Sequence, residues 1–187
     1  MKSFDIDLDF GNRNEILGLI PHVDASLENG KKHLSGVYVT PMPKNPITER
    51  AAFNYKEAEK LGYFKIDFLN NSVYQKFSSQ EQLDEMLQKN PPWEKLHEKE
   101  FVQQLTHIGS YYDLIQSLPE PINSIEKLAM FLAIIRPGKK HLQGLSWSEV
   151  EKTVWDIEEN KGYIFKKSHA FSYALVIVAE MNLLDEN

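Results

Sequence analysis

FDIDLDF, residues 4–10, alternates apolar and acidic side chains without a slip: Phe4, Ile6, Leu8 and Phe10 against Asp5, Asp7 and Asp9. Period-two alternation puts the four apolar residues on one side of a β-strand and the three carboxylates on the other. Such a strand needs a second layer to bury its apolar side, so the chain opens as part of a sheet. Gly11-Asn12 ends the strand, and NRNEILGLI (12–20) follows as a short helix stopped by Pro21.

Working outward, the turn-rich ENGKK (28–32) leads to a second strand, GVYVT (36–40), rich in β-branched and aromatic residues. PMPKNP (41–46) has three prolines in six residues and reads as a loop. Thr48 is placed to cap a helix over TERAAFNYKEAEKLG (48–62), with Ala51, Ala52, Tyr55, Ala58 and Leu61 at helical spacing. Gly62 ends it, and YFKIDFL (63–69) is a third strand.

The remainder reads as helices: SSQEQLDEMLQKN (78–90) behind a Ser cap, PPWEKLHEKEFVQQL (91–105), SYYDLIQSL (110–118) and NSIEKLAMFLAII (123–135), stopped by Pro137-Gly138. SWSEVEKTVWDIEENKG (146–162) opens on a Ser146/Glu149 capping box. SHAFSYALVIVAEMNLL (168–184) is apolar nearly all round and is expected to be the most buried helix, although Val176 to Val178 also suit a strand. The expectation is an α+β, mainly α fold. A small N-terminal sheet of about three strands packs on five or six helices, in one globular domain over 1–187.

With 187 residues, 42% hydrophobic and 26% charged, the composition is that of a globular protein with a core. Zero cysteines removes disulfides, thiolate metal sites and cysteine nucleophiles, and suits a reducing cytoplasm. MKSFDIDLDFGN has no apolar leader, and AFSYALVIVAEM (170–181) is shorter than the roughly 18 residues a bilayer requires, so neither secretion nor a membrane span is expected. A net charge of −6 and only three arginines (Arg13, Arg50, Arg136) argue against nucleic acid, whose phosphates need Lys and Arg. Two thirds of that net charge lies in residues 1–30, where Asp5, Asp7, Asp9, Glu15, Asp24 and Glu28 face only Lys2 and Arg13.

The Asp5/Asp7/Asp9 array has three readings. Alternate strand residues lie roughly 6.6–6.8 Å apart, so two carboxylates can converge on a divalent cation. They also suit a basic protein partner, or the solvated side of an edge strand. Lys31, Lys32 and Lys65 are candidate neighbours for their charge. The other patterns break down: Glu94-Lys95-Leu96-His97 is a lone ExxH, and di-iron bundles need two. His22-Val23-Asp24 is ordinary loop composition, and His33, His107, His141 and His169 stand singly along the chain. RPGKKHLQG (136–144) lacks the order of a P-loop and suits a helix C-terminus, while GLSWSE lacks the second glycine of a nucleophile elbow. Trp147 and Trp155 fall on one helix face as core residues. The opposite face carries Glu149, Glu151, Asp156, Glu158 and Glu159 against Lys152 and Lys161, a second acidic region.

No catalytic constellation, cofactor motif or metal-ligand set emerges. Two acid-rich surfaces on an otherwise ordinary domain lead us to expect a non-enzymatic binding or inhibitor protein. By class it compares with bacterial immunity proteins and antitoxins, which cover a basic protein such as a toxin. The expected contact residues are Asp5, Asp7, Asp9, Glu149, Glu151, Asp156, Glu158 and Glu159. The alternative is a small metal- or small-molecule-dependent enzyme whose site is assembled from residues distant in sequence.

Overall fold

The computed structural model describes residues 6–156 and 165–186. The fold is α+β, and the chain forms two compact units, Met1–Lys76 and Phe77–Asn187. The sequence carries no linker at residues 76–77 to mark the division.

The first unit is built on four strands, β1 (Ile6–Phe10), β2 (Val23–Ser26), β3 (Lys32–Tyr38) and β4 (Ile66–Asn70), in the order β1-β4-β3-β2. β1 runs parallel to β4, and the other neighbours are antiparallel. The fourth strand, β2, corrects the three-strand expectation. It lies where HVD reads as loop, because a four-residue strand is too short to show its period. Helix α1 (Arg13–Leu19) covers one side of the sheet, where Leu17 packs with Val37 and Phe68, flanked by Phe10, Ile16, Ile20 and Ile66. Full burial of each such side chain contributes about 1.5–3 kcal/mol.

On the other side Val23, Ala25 and Tyr38 pack with Met42, Ala51 and Ala58, the last from α2 (Tyr55–Lys60). α2 starts six residues later than the Thr48 cap suggests. The backbone amides of Ile47 and Thr48 donate to Asn45 Oδ1, forming a turn, and Ala51 N–H donates to Asp24 C=O beside β2. The working cap is Asn54, whose Oδ1 accepts from Lys56 and Glu57 N–H while the Glu57 carboxylate accepts from Asn54 N–H.

β3 is not a regular strand. Ser26 pairs with Lys32 and Asp24 with Val37, so two steps along β2 answer to five along β3. The surplus forms a bulge over residues 33–35, before Gly36 rejoins the ladder opposite Asp67.

The second unit holds α3 (Gln80–Gln88), α4 (Lys99–Val102), α5 (Tyr112–Gln116), α6 (Ile125–Ile134), α7 (Trp147–Thr153) and α8 (Lys167–Asp185), with 3-10 turns at Trp93–His97 and Pro137–Leu142. The predicted 91–105 helix is broken at Glu98, whose extended backbone (φ −96°, ψ 116°) separates a 3-10 turn from α4. α8 packs against both α6 and α3, and Val176 to Val178 are helical. Residues Leu128 to Ile134 of α6 are all buried and meet Ala170, Ala174, Ile177, Val178 and Met181 of α8. Asn182 Nδ2 donates to the carbonyls of Met86 (2.7 Å) and Lys89 (3.2 Å), supplying the acceptors at the end of α3 with a donor they lack. The later part of the predicted 146–162 helix, residues 157–162, lies outside the described residues.

Candidate functional site

β1 inverts the exposure its pattern suggests. Ile6 and Leu8 are 44% and 39% exposed, whereas Asp7 and Asp9 are only half-buried. The reason is position. β1 is the edge of the sheet, and α1, seven residues and about 10 Å long, centres on β3 and β4, reaching only Phe10 of β1. The acidic side turns toward polar company: Asp9 accepts from Asn71 Nδ2 (3.4 Å), and Asp7 lies in register with Asp67 of β4. Asp5 lies outside the described residues.

Asp67 is the centre of a polar group that the sequence does not announce. It is 7% exposed. Lys65 Nζ contacts Oδ2, and Ser35 Oγ donates to Oδ1 at 2.7 Å, so both carboxylate oxygens are engaged. Ser35 reaches it because the bulge redirects the strand at that point. The same bulge brings in His33, whose Nδ1 accepts the backbone N–H of Gly36 (2.9 Å) and of Ser35 (3.4 Å) and lies 3.6 Å from Asp67 Oδ1. A ring nitrogen that accepts two amides carries no proton, so the proton of this imidazole resides on Nε2. The His33 ring meets Tyr55 of α2 edge-on, with centroids 5.5 Å apart.

Gly36 makes the group possible. A Cβ there would stand 2.7 Å from Lys65 Cδ and 3.0 Å from His33 Nδ1. Tyr38, fully buried, leaves its hydroxyl without a hydrogen-bond partner. Burial, and then the carboxylates of Asp67 and Glu59, push its pKa up to about 12, so the phenol stays neutral. Chemically the group holds a carboxylate in place. Ser35 gives its hydroxyl hydrogen to Asp67 rather than to His33, so no nucleophile–base pair is formed. Of the candidate neighbours for the N-terminal acids, Lys65 meets Asp67 and Lys32 meets Asp24 (2.6 Å).

Compared with protein-family models, curated proteins and solved structures, the chain matches none.

The second acidic region is presented by α7 and the residues that follow it. Glu151 and Asp156 are exposed. Glu149 is exposed too but serves as the cap. Its Oε2 accepts from the Ser146 hydroxyl (2.5 Å) and amide (3.0 Å), and these bonds, the hydroxyl first, hold its carboxyl below the ordinary range. Glu158 and Glu159 lie outside the described residues. Trp147 is buried and donates Nε1–H to the carbonyls of Glu120 and Pro121, while Trp155 is half-buried beside Phe171, with the Lys167 ammonium over both rings.

The remaining sequence patterns stay apart. His97 Nδ1 pairs with Gln116 Oε1 (2.8 Å) beside an exposed Glu94, and His22 Nδ1 donates to Ile20 C=O (3.0 Å). In the basic stretch, the Arg136 guanidinium lies over Phe165 and Lys139 Nζ donates to Thr153 C=O. Among the described residues no three His, Cys, Asp or Glu gather closely enough to hold a metal ion, and no helix is long and apolar enough to cross a membrane.

Proposed function

We propose that this chain is a non-enzymatic binding protein, of the immunity-protein or antitoxin kind, that engages a basic protein partner such as a toxin in the cytoplasm. The observation that carries the reading is β1: at the edge of the sheet, two apolar side chains, Ile6 and Leu8, are more exposed than the carboxylates alternating with them. An apolar anchor rimmed by charge is what protein interfaces select, the apolar part for affinity and the charge for encounter rate. Exposed Glu151 on α7 and Asp156, three residues past its end, supply further negative charge. The scarcity of arginine and the net charge of −6 favour a basic protein over nucleic acid as the partner.

The test is affinity purification of the tagged chain from its native cell at low and moderate salt, followed by kinetics on whatever binds stoichiometrically. Asp7→Asn/Asp9→Asn lowers the association rate several-fold and flattens its salt dependence. Ile6→Ser/Leu8→Ser instead raises the dissociation rate about tenfold or more. Unchanged kinetics in both variants refute the reading.

A second reading, a small-molecule- or metal-dependent enzyme, draws on the Asp67 group, in which His33, Ser35 and Tyr38 of β3 and Lys65, just before β4, surround the β4 carboxylate. It predicts a thermal shift with one member of a ligand panel that is abolished in Asp67→Asn.

A further inference from the structure

The bulge of β3 is fastened by an imidazole, the one side chain whose unperturbed titration falls near neutral pH. His33 Nδ1 accepts from Gly36 N–H at 2.9 Å and Ser35 N–H at 3.4 Å, across the residues by which β3 departs from its register with β2. A neutral imidazole has one acceptor nitrogen, and an imidazolium has none. We propose that His33 is a proton-operated latch on this bulge: neutral, it holds the Gly36 and Ser35 amides; protonated, it releases them and donates from Nδ1 to Asp67. This inference does not rest on the proposed partner.

The groups facing the ring decide what the protonated state does. From β4, the Asp67 carboxylate waits with Oδ1 3.6 Å from Nδ1, too long for a hydrogen bond now and close enough to become one after a small rotation. The Lys65 ammonium, on the other oxygen of the same carboxylate, opposes a second cation there. From α2, Tyr55 meets the ring edge-on. From the bulge itself, Ser35 Oγ occupies Oδ1 of Asp67 and must share it with the incoming Nδ1–H. Two amide N–H groups pointing at an N–H repel it, so the protonated ring and the present bulge are incompatible.

The change reaches further than one ring. Leu34 lies within the bulge, with its side chain 89% exposed and its carbonyl accepting from Arg13 of α1. Gly36 is the first residue past the bulge to pair with β4. Release of the latch therefore loosens the joint between α1 and β3 while the ladder from Gly36 onward keeps its partners.

Nuclear magnetic resonance on the full ¹⁵N-labelled chain tests this from about pH 8 to about pH 5, the range in which imidazole titrates. At the alkaline end the long-range histidine spectrum places the His33 proton on Nε2. On acidification the Gly36 and Ser35 amide protons shift with the same midpoint as the His33 ring, and the protection of Gly36 from exchange falls about tenfold, the equivalent of one lost hydrogen bond. His33→Asn keeps a carbonyl acceptor for the same amides without a titrating group. In that variant both amides remain in place across the range. A proton on His33 Nδ1 at the alkaline end overturns the proposal. So do Gly36 and Ser35 amides that stay still while His33 titrates, or that move equally in His33→Asn. The wild-type titration decides the question even if the variant does not fold.

Discussion

Glu180 is a carboxylate with no exposed surface, in the C-terminal half of α8, the longest helix among the described residues. It faces a turn rather than another helix: Oε2 accepts from Thr106 N–H at 2.7 Å and Oε1 from the Thr106 hydroxyl at 3.2 Å. That turn has few alternatives of its own, since His107 adopts φ 64° and Gly109 leaves no room for a Cβ. Replacing Glu180 with alanine removes two charge-assisted bonds of about 1.5–3 kcal/mol each, leaves the half-buried Thr106 amide and hydroxyl without this acceptor and opens a cavity; relief of a buried charge offsets part of this. The expected loss is about 3–5 kcal/mol. Glu180→Gln retains the geometry, because the amide oxygen accepts from Thr106 N–H and the amide nitrogen donates to the hydroxyl. It costs about 1 kcal/mol, the difference between charged and neutral hydrogen bonds. Urea unfolding followed by tryptophan fluorescence reads the right part of the chain, because Trp93, Trp147 and Trp155 all belong to Phe77–Asn187. With a slope of about 1–2 kcal/mol per M, the alanine variant unfolds about 3 M earlier than wild type. A loss below about 1 kcal/mol for alanine, with the Thr106 amide still protected from exchange, would refute the view that this carboxylate pins the turn.

Gly109→Ala drives a Cβ to 2.8 Å from Gln103 C=O and 3.0 Å from Leu105 C=O, both backbone and unable to yield cheaply; urea titration is expected to show a loss of about 2–3 kcal/mol. Asn182→Ala deprives the end of α3 of its donor and costs about 1–3 kcal/mol, with faster amide exchange in the last turn of α3 as its local signature. Tyr38→Phe deletes a buried hydroxyl that has no partner, so thermal unfolding at neutral pH is unchanged or shifted upward. Tyr38 also carries an alkaline signature. Its pKa rises from 10.0 to about 12 in the folded state, so the unfolded chain loses its proton first and folded-state stability declines as pH rises through that interval. The phenylalanine variant lacks this part of the decline, and identical alkaline profiles for the two proteins would contradict the assignment.

How far the sequence speaks depends on whether a signal is local. A serine cap opens α3, at Ser79, and Ser146 with Glu149 opens α7, as the residue types suggest, because a cap is settled within four residues. The all-round apolar character of 168–184 marks α8 as buried for the same reason: no orientation has to be chosen. Elsewhere the deciding partner is distant. The false start at Thr48 arises because Asn45 and Asp24 claim the backbone that a helix would have used. Asp67 reads as one polar position of an alternating strand. Its burial follows from a bulge thirty residues earlier and from Gly36, the residue without a Cβ that stands opposite it. The separated residues His33, Ser35, Lys65 and Asp67 carry no shared motif, so only the fold joins them.

The opening strand shows why alternation alone misleads. FDIDLDF states that its two sides differ, but which side is covered depends on what lies against each, and that is fixed by register and by the reach of α1. In register with Asp67, Asp7 joins the side where Lys65 already brings a cation, and Asp9 finds Asn71. The carboxylates thus have an account within the fold: two like charges in register on neighbouring strands are unfavourable, and a lysine two residues from Asp67 offsets that repulsion. Ile6 and Leu8 have no such account, since α1 stops short of them. On the proposed reading, the part of β1 that a partner would cover is its apolar half, with the acidic half setting the charge of what approaches. It follows that the serine pair Ile6→Ser/Leu8→Ser should cost more affinity than the asparagine pair Asp7→Asn/Asp9→Asn. The reverse order would return the interface to the carboxylates and leave the exposed pair as ordinary surface.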